Sequence, residues 1–117
     1  MKLSNIQIAT SFSTGQFADT FPYLADNIIW NIAGERLLDG KPAVTEFCNQ
    51  TAKYFSEVTT EFKISNTINS DNYIAIEGTA TFINKTNKKT VVSSCDIYHF
   101  ENDSLIQINS YCITENK

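Results

Sequence analysis

The second half of the chain alternates apolar and polar side chains along nearly its whole length. Apolar residues occupy every second position around Phe62 to Ile68, and the same two-residue period returns in three further runs. This period is typical of β-strands that bury one face, because successive side chains in a strand point to opposite sides. The predicted strands cover residues 62–68, 73–84, 91–101 and 105–113. Short polar turns between these strands predict an antiparallel meander.

The first half of the chain has mainly helical periodicity. Apolar residues of 41–57 recur on one helical face, which predicts a long amphipathic helix. A short amphipathic helix is predicted over residues 4–14, and a second helical piece is predicted to end at Leu24. Residues 28–32 alternate as a strand, and residues 34–40 are predicted to form a loop between two glycines.

This order of elements predicts an α+β fold in which a curved, mostly antiparallel sheet wraps around the long helix. A chain of 117 residues is long enough for one apolar core, so a single domain over residues 1–117 is expected. Gly78 interrupts the apolar face of the second strand of the meander. A glycine at such a position indicates a β-bulge or the close approach of another group.

Composition argues against several classes of partner and site. The formal net charge is -4 and Arg36 is the single arginine, so neither nucleic acid nor an anionic membrane is an expected partner. Three widely spaced cysteines and one histidine fit neither a disulfide framework nor a metal site, and no metal or other cofactor is expected. The polar N-terminal stretch lacks the apolar run of a signal peptide, which favours a cytoplasmic location.

Several short motifs are similar to those of a known superfamily. They are Gly15, the run LADN at 24–27, Trp30, Gly40, Val44, the pair EF at 46–47 and the run DIYHF at 96–100. Together they resemble the nuclear transport factor 2-like superfamily, and within it the SnoaL-like and ketosteroid-isomerase-like branch. The resemblance implies a cone-shaped barrel of the cystatin-like or SnoaL-like kind, in which a bent sheet and three helices enclose one apolar pocket. It also implies a homodimer formed through the outer face of the sheet.

The catalytic groups of ketosteroid isomerase carry over to this chain at one of three positions. The resemblance places the carboxylate base at Ile32 and the tyrosine donor at Ile8, whereas the aspartic acid donor falls on Asp96. The pocket phenylalanine of the family matches Phe47, and the supporting tyrosine beside it is replaced by Cys48. Without the base no proton can be removed from a substrate carbon at that place, so no steroid isomerase activity is expected.

Asp96 is the candidate catalytic residue of the chain. Alternation puts it on one strand face with Ser94, Tyr98 and Phe100. If that face is concave, burial raises the carboxyl pKa and makes the group an acid or a hydrogen-bond donor. The alternative is a structural aspartate that accepts hydrogen bonds from its neighbours. His99 has an odd spacing from Asp96 and is therefore expected on the opposite, outer face.

The predicted pocket combines an apolar lining with a few polar groups. The candidate lining residues are Trp30, Ile32, Phe47, Phe55 and Phe82. Asp96 and Tyr98 are the predicted polar contacts, and Tyr111 is a further phenol whose facing depends on the register of the last strand. A buried indole needs a partner for its N–H, and a ligand or a water molecule in the pocket is a candidate partner for Trp30.

Two functions remain open on this basis. The first is a small-molecule-binding protein whose pocket takes a compact apolar ligand, with cofactor-independent isomerase, cyclase or hydratase activity if Asp96 acts as an acid. The alternative is a non-catalytic module of the same fold, dimerising or ligand-carrying, with Cys95, Ile97 and His99 in a flat dimer face. An open cavity that Asp96 reaches favours the first function, and a cavity plugged by Phe12, Phe55 and Phe82 favours the second.

Overall fold

The computed structural model describes residues 2–115 and confirms the mixed α+β architecture. The helices are α1 (Asn5–Ser13) and α2 (Lys41–Glu57), with a 3-10 helix at Phe17–Tyr23 between them. The strands are β1 (Leu24–Ile32), β2 (Arg36–Asp39), β3 (Thr59–Ser70), β4 (Tyr73–Ile83), β5 (Lys89–Glu101) and β6 (Ser104–Thr114).

The strands form one curled, unclosed sheet in the order β2-β1-β6-β5-β4-β3. Strands β3 to β6 pair as the predicted antiparallel meander. Strand β1 joins the meander by pairing parallel with β6, and β2 pairs antiparallel with β1. The sheet is therefore mostly antiparallel, and its single parallel pair connects the first half of the chain to its last strand.

The helices cover the concave face of the sheet. Ser4 caps α1 through its hydroxyl, which accepts a hydrogen bond from the Gln7 backbone N–H, and the Gln7 side chain bonds back to Ser4. On α2, Val44 and Cys48 are fully buried, and this helix packs against β1, β2 and β3. The apolar core therefore lies between the concave face and both helices. Neither helix within residues 2–115 is long and apolar enough to cross a bilayer.

The prediction of a loop at 34–40 was wrong, because this segment contains strand β2. Ile32 pairs with Arg36 across a tight turn, and Gly34 in that turn has φ +77°. A three-residue hairpin loop commonly needs a glycine with positive φ, so the glycine marked a hairpin rather than a long loop. Strand β1 also begins earlier than predicted, directly after the 3-10 helix, at Leu24.

Both features predicted as alternatives at Gly78 occur together. Ile64 pairs with Gly78 and Asn66 pairs with Glu77, which leaves Ser65 as a β-bulge on the neighbouring strand. A Cβ atom on Gly78 would lie 2.6 Å from the carbonyl oxygen of Lys63. The missing side chain therefore allows the backbone of β3 to approach β4 closely at the bulge.

Candidate functional site

A cavity of about 210 Å³ lies between the concave face of the sheet and the helices. Its aromatic lining consists of Phe12, Phe17, Trp30, Phe47, Phe55, Phe62 and Phe82. Its polar lining includes Ser13, Glu35, Ser94, Asp96, Ser110 and Cys112. An apolar cavity of about 150 Å³ is known to hold benzene, so this cavity accommodates a molecule somewhat larger than one benzene ring.

The aromatic wall of the cavity is packed edge to face and by stacking. The ring of Trp30 lies 4.9 Å from the ring of Phe12 and 5.4 Å from that of Phe47, both in edge-to-face geometry. Phe55 and Phe82 stack with ring centroids 5.4 Å apart. These contacts stabilise the wall and hold the rings at its surface, because aromatic pairs prefer such geometries. Phe12, Phe55 and Phe82 line the cavity without filling it.

Hydroxyl groups from distant parts of the chain surround the Asp96 carboxyl group. Ser13 Oγ donates to Asp96 Oδ2 at 3.0 Å, and the Tyr98 hydroxyl donates to the same oxygen at 3.4 Å. The hydroxyls of Ser13 and Tyr98 are themselves 2.5 Å apart. Ser110, opposite Asp96 on β6, adds a further hydrogen bond to the carboxyl group. Ser110 Oγ also accepts from Trp30 Nε1 at 2.9 Å.

The protonation of this network depends on its burial. Desolvation raises the pKa of Asp96, while hydrogen bonds from Ser110, Ser13 and Tyr98 act in the opposite direction. The side chain of Tyr98 is 0% exposed, and desolvation followed by the nearby Asp96 carboxylate raises its pKa well above the ordinary value. Tyr98 therefore stays a protonated donor, and Asp96 takes up a proton more readily than an aspartic acid in water.

The turn between β1 and β2 adds charged groups at the rim of the cavity. Glu35 is exposed to solvent and also lines the cavity. Arg36 is exposed as well, and its Cζ atom lies 5.0 Å from the centroid of the Phe47 ring. The pKa of Cys112 is raised to about 11, first by burial and then by the carboxylates of Asp96 and Glu35. Both carboxylates therefore act electrostatically on the same part of the lining.

The structure brings most of the sequence-predicted site residues together. Asp96, Trp30, Ile32, Phe47, Phe55 and Phe82 all contribute to the cavity lining. Tyr98 does not appear among the described lining residues, and it contacts Ser13 and Asp96 in the interior instead. The predicted partner of the Trp30 N–H was a ligand or a water molecule, whereas in the structure this N–H donates to a protein group, the hydroxyl of Ser110. The roles of these residues in binding or catalysis stay predictions.

Three residues of the site were missed by the sequence analysis. Ser13 occupies the last turn of α1 and reaches Asp96 across 83 positions of sequence, a distance that local patterns do not span. Glu35 fell within the predicted loop at 34–40 without a role in the site, and the hairpin of β1 and β2 brings it to the cavity. Ser110 lies two positions after the buried Ile108 and therefore shares its face of β6, so the facing of Ser110 follows from the pattern once the register of β6 is known.

Tyr111 faces away from the cavity, which corrects its candidacy as a ligand contact. A register shift between β5 and β6, between His99 and Phe100, places Ser110 and Cys112 on the concave side. Tyr111 lies between them on the strand and is 49% exposed. His99 also lies on the outer face, where its ring stacks on that of Tyr73 at 4.1 Å.

A second, smaller cavity lies beside the larger one and is also lined by Asp96. Its volume is about 50 Å³, and it shares Ser13, Ser94 and Asp96 with the larger cavity. Gly78 lines it, next to the β-bulge of β3. A cavity of about 10–15 Å³ is enough for one water molecule if polar partners are present. The smaller cavity therefore has room for water beside Asp96.

Nucleophilic and metal chemistry find little support in the described residues. Burial raises the pKa of Cys48 to about 12, so its thiol stays protonated at neutral pH, as expected for a small buried side chain. Within residues 2–115, no group of three or more histidine, cysteine, aspartate or glutamate side chains is placed to hold a metal ion.

Comparisons with known proteins agree with this geometry. The family model of the SnoaL-like domain matches residues 7–108. An NTF2-like protein of unknown function from Cytophaga hutchinsonii is 38% identical, with a TM-score of 0.86 over 92% of this chain and 95% of that chain. An LEH-like epoxide hydrolase from M. tuberculosis shares the fold at 15% identity and TM-score 0.70, covering 92% and 81% of the two chains. A candidate isomerase from Rhodopseudomonas palustris also shares the fold, at 21% identity and a TM-score of 0.71, over 92% of this chain and 84% of that chain. No curated protein matches the chain.

Proposed function

The chain belongs to the SnoaL-like domain family, and we propose that it binds a compact, largely apolar molecule in its cavity. The observation that carries the proposal is a cavity of about 210 Å³ in which the carboxyl group of Asp96 lies among aromatic rings. An apolar lining with a few convergent polar groups is the usual composition of a small-molecule site. Asp96 then contacts the polar group of the ligand, and the rings contact its apolar body.

The open volume favours ligand binding over a pocket filled by the protein's own side chains. Phe12, Phe55 and Phe82 were the side chains expected to plug the cavity, and all three lie along its wall. Stacking of Phe55 on Phe82 holds these two rings against each other. A non-catalytic carrier remains the alternative function, since binding alone needs the same cavity.

Asp96 supports a reaction of the isomerase, cyclase or hydratase type. Because desolvation raises its pKa, the carboxyl group is available in its protonated form closer to neutral pH than a solvated aspartic acid. A protonated carboxyl group donates a proton or a hydrogen bond to a substrate oxygen as negative charge develops there. Ser13 and Tyr98 fix the orientation of the group through its Oδ2 atom. The smaller cavity beside Asp96 has room for the water molecule that hydration requires as its second reactant.

Native mass spectrometry beside a denatured control tests the binding proposal. We expect a small molecule to co-purify with the folded protein and to be released on denaturation. A titration with cyclohexylmethanol, a neutral probe of suitable size, provides a second readout, because Trp30 is the single tryptophan and lines the cavity. Saturable binding, by tryptophan fluorescence and by calorimetry, is the expected result. An empty protein that does not bind the probe at millimolar concentration would contradict the proposal.

Two variants of neighbouring residues on β4 separate cavity binding from unspecific binding. Ala80 lines the cavity, so Ala80→Phe fills part of its volume and should weaken binding of the probe by about tenfold or more. Thr81 follows on the same strand and faces the other side of the sheet, so Thr81→Phe serves as the matched control. Equal weakening by both variants would show that the probe binds elsewhere.

A homodimer formed through the outer face of the sheet is a second proposal. Four large apolar side chains on that face are exposed by about half or more, namely Ile68, Tyr73, Tyr111 and Ile113. Tyr73 and His99 form a flat stacked pair among them. Exposed apolar surface of this kind favours a self-complementary contact between two copies. Size-exclusion chromatography with light scattering is expected to give a dimer, and a strict monomer at micromolar concentration would remove the proposal.

A cytoplasmic location is proposed on the basis of the three cysteines. Cys48, Cys95 and Cys112 are all free thiols. Free thiols without disulfides are typical of proteins kept in a reducing compartment. Fractionation of the native host cells checks this, and recovery of the protein in an oxidising compartment would contradict it.

A further inference from the structure

The lining of the larger cavity has a marked bias in its charge. Glu35 and Asp96 contribute carboxyl groups, whereas no lysine, arginine or histidine occurs among the described lining residues. Arg36 is close, but it is exposed and its guanidinium group lies over the Phe47 ring. A ligand inside the cavity therefore meets acidic groups directly, whereas Arg36 is in contact with an aromatic ring and Lys63 lines only the smaller, adjoining cavity.

Aromatic rings are the largest group in the remaining lining. Seven rings, six from phenylalanine and one from Trp30, surround the open volume. The face of an aromatic ring carries negative potential and attracts an organic cation, and tryptophan attracts it most strongly. The contact between Arg36 and Phe47, at 5.0 Å from the ring centroid, shows that one ring of this wall already binds a cation. Rings and carboxyl groups therefore favour the same sign of charge.

Cys112 lies within the electrostatic influence of both carboxyl groups. Its thiol lies on the lining, and the Asp96 and Glu35 carboxylates both oppose its ionisation, in addition to burial. A group that makes the thiolate unfavourable at this point also makes any other anion unfavourable there. The same potential stabilises a positive charge. An acidic ligand is therefore disfavoured in the cavity, although Arg36 lies near its rim.

We propose that the ligand of this cavity is a compact organic cation, either a protonated amine or a quaternary ammonium compound. Its charged group lies near Asp96 and Glu35, and its apolar part contacts the aromatic wall around Trp30. The cavity volume of about 210 Å³ limits the ligand to one small ring or a short branched chain. This inference rests on the proposed ligand-binding function and specifies the chemical class of the ligand.

Three probes with the same body and different charge test the inference. They are cyclohexylmethylammonium, cyclohexylmethanol and cyclohexanecarboxylate, titrated at pH 7 by calorimetry and by Trp30 fluorescence. We expect the ammonium compound to bind about tenfold more tightly than the alcohol, and the carboxylate to bind most weakly. Equal or tighter binding of the alcohol would overturn the cation proposal and leave the ligand-binding function intact.

The other outcomes of the titration are equally decisive. Tightest binding of the carboxylate would overturn the proposal and assign recognition to Arg36. Binding of none of the three probes at millimolar concentration, with no co-purified molecule, would overturn both the cation proposal and the ligand-binding function. A co-purified molecule identified as an amine in native mass spectrometry would support the cation proposal independently of the probes.

Charge-removing variants locate the effect within the cavity. Asp96→Asn is expected to weaken binding of the ammonium probe by about tenfold, and Glu35→Gln by about threefold because Glu35 is exposed and screened by salt. Glu101→Gln changes the net charge equally at the exposed end of β5 and serves as the control. If Glu101→Gln weakens binding as much as the cavity variants, the effect comes from net charge and the proposed contacts are refuted.

Discussion

Replacing Ser110 by alanine tests the hydrogen-bond network behind the cavity. The Ser110 hydroxyl accepts from the Trp30 indole at 2.9 Å, and the two residues are 3% and 7% exposed. Ser110→Ala leaves this buried N–H without its acceptor and also removes one hydrogen bond to Asp96. A buried donor left unpaired costs about 1–3 kcal/mol of folding free energy.

The cost converts directly into a shift of the melting temperature. For 117 residues the unfolding entropy is about 0.25 kcal/mol/K, so the expected decrease in Tm is about 4–12 °C. Urea unfolding followed by circular dichroism measures the free energy of unfolding directly. Ser94→Ala is the control, because Ser94 also lines the cavity while the indole N–H bonds to Ser110. We expect this control to change the stability by less than about 0.5 kcal/mol.

A double-mutant cycle separates the hydrogen bond from other effects of the substitution. In the Trp30→Phe background there is no indole N–H to satisfy, so Ser110→Ala should cost at least about 1 kcal/mol less than in the original chain. Circular dichroism is again the readout, because this background contains no tryptophan. If Ser110→Ala costs the same in both backgrounds, the hydrogen bond between Trp30 and Ser110 does not stabilise the fold.

Three further predictions follow from the same structure. Desolvation raises the pKa of Asp96 in the folded protein, so the free energy of unfolding falls as pH rises through that pKa. Asp96→Asn should therefore raise Tm at pH 7 and make Tm less dependent on pH, and a lower Tm at pH 7 would contradict this reasoning. Gly78→Ala forces a Cβ atom to 2.6 Å from the Lys63 carbonyl oxygen and should cost about 2 kcal/mol in urea unfolding. A cost below about 0.5 kcal/mol would refute the close approach. Iodoacetamide should modify Cys112 slowly at pH 7 and faster as the pH approaches the thiol pKa of about 11. Buried Cys48 should stay unmodified in the folded protein, and mass spectrometry of the labelled sites measures both rates.

The facing of individual residues was predictable wherever a strand continues without interruption. Along β5, alternation predicted that Asp96 and Ser94 share one face and that His99 lies on the other, and the structure shows that the first face is the one that lines the cavity. The facing of Tyr111 stayed open, because one extra residue in a strand exchanges its two faces. The register shift between β5 and β6, which pairing between strands decides, puts Tyr111 outside.

Local periodicity predicted the helices, five of the six strands and the apolar faces that form the core, and it missed β2. Such periodicity depends on neighbours a few positions apart. The polar network of the site depends on contacts across the whole chain. Ser13 reaches Asp96 over 83 positions, and Trp30 reaches Ser110 over 80.

Tertiary structure alone decided which groups meet in the cavity. The parallel pairing of β1 with β6 brings Trp30 beside Ser110, and the packing of α1 on β4 and β5 brings Ser13 to the carboxyl group. The hairpin of β1 and β2 carries Glu35 to the rim. None of these arrangements has a local signal, because each requires two segments to be ordered against the same sheet. The candidate acid was therefore visible in the sequence, whereas its partners and the charge of its surroundings were set by the fold.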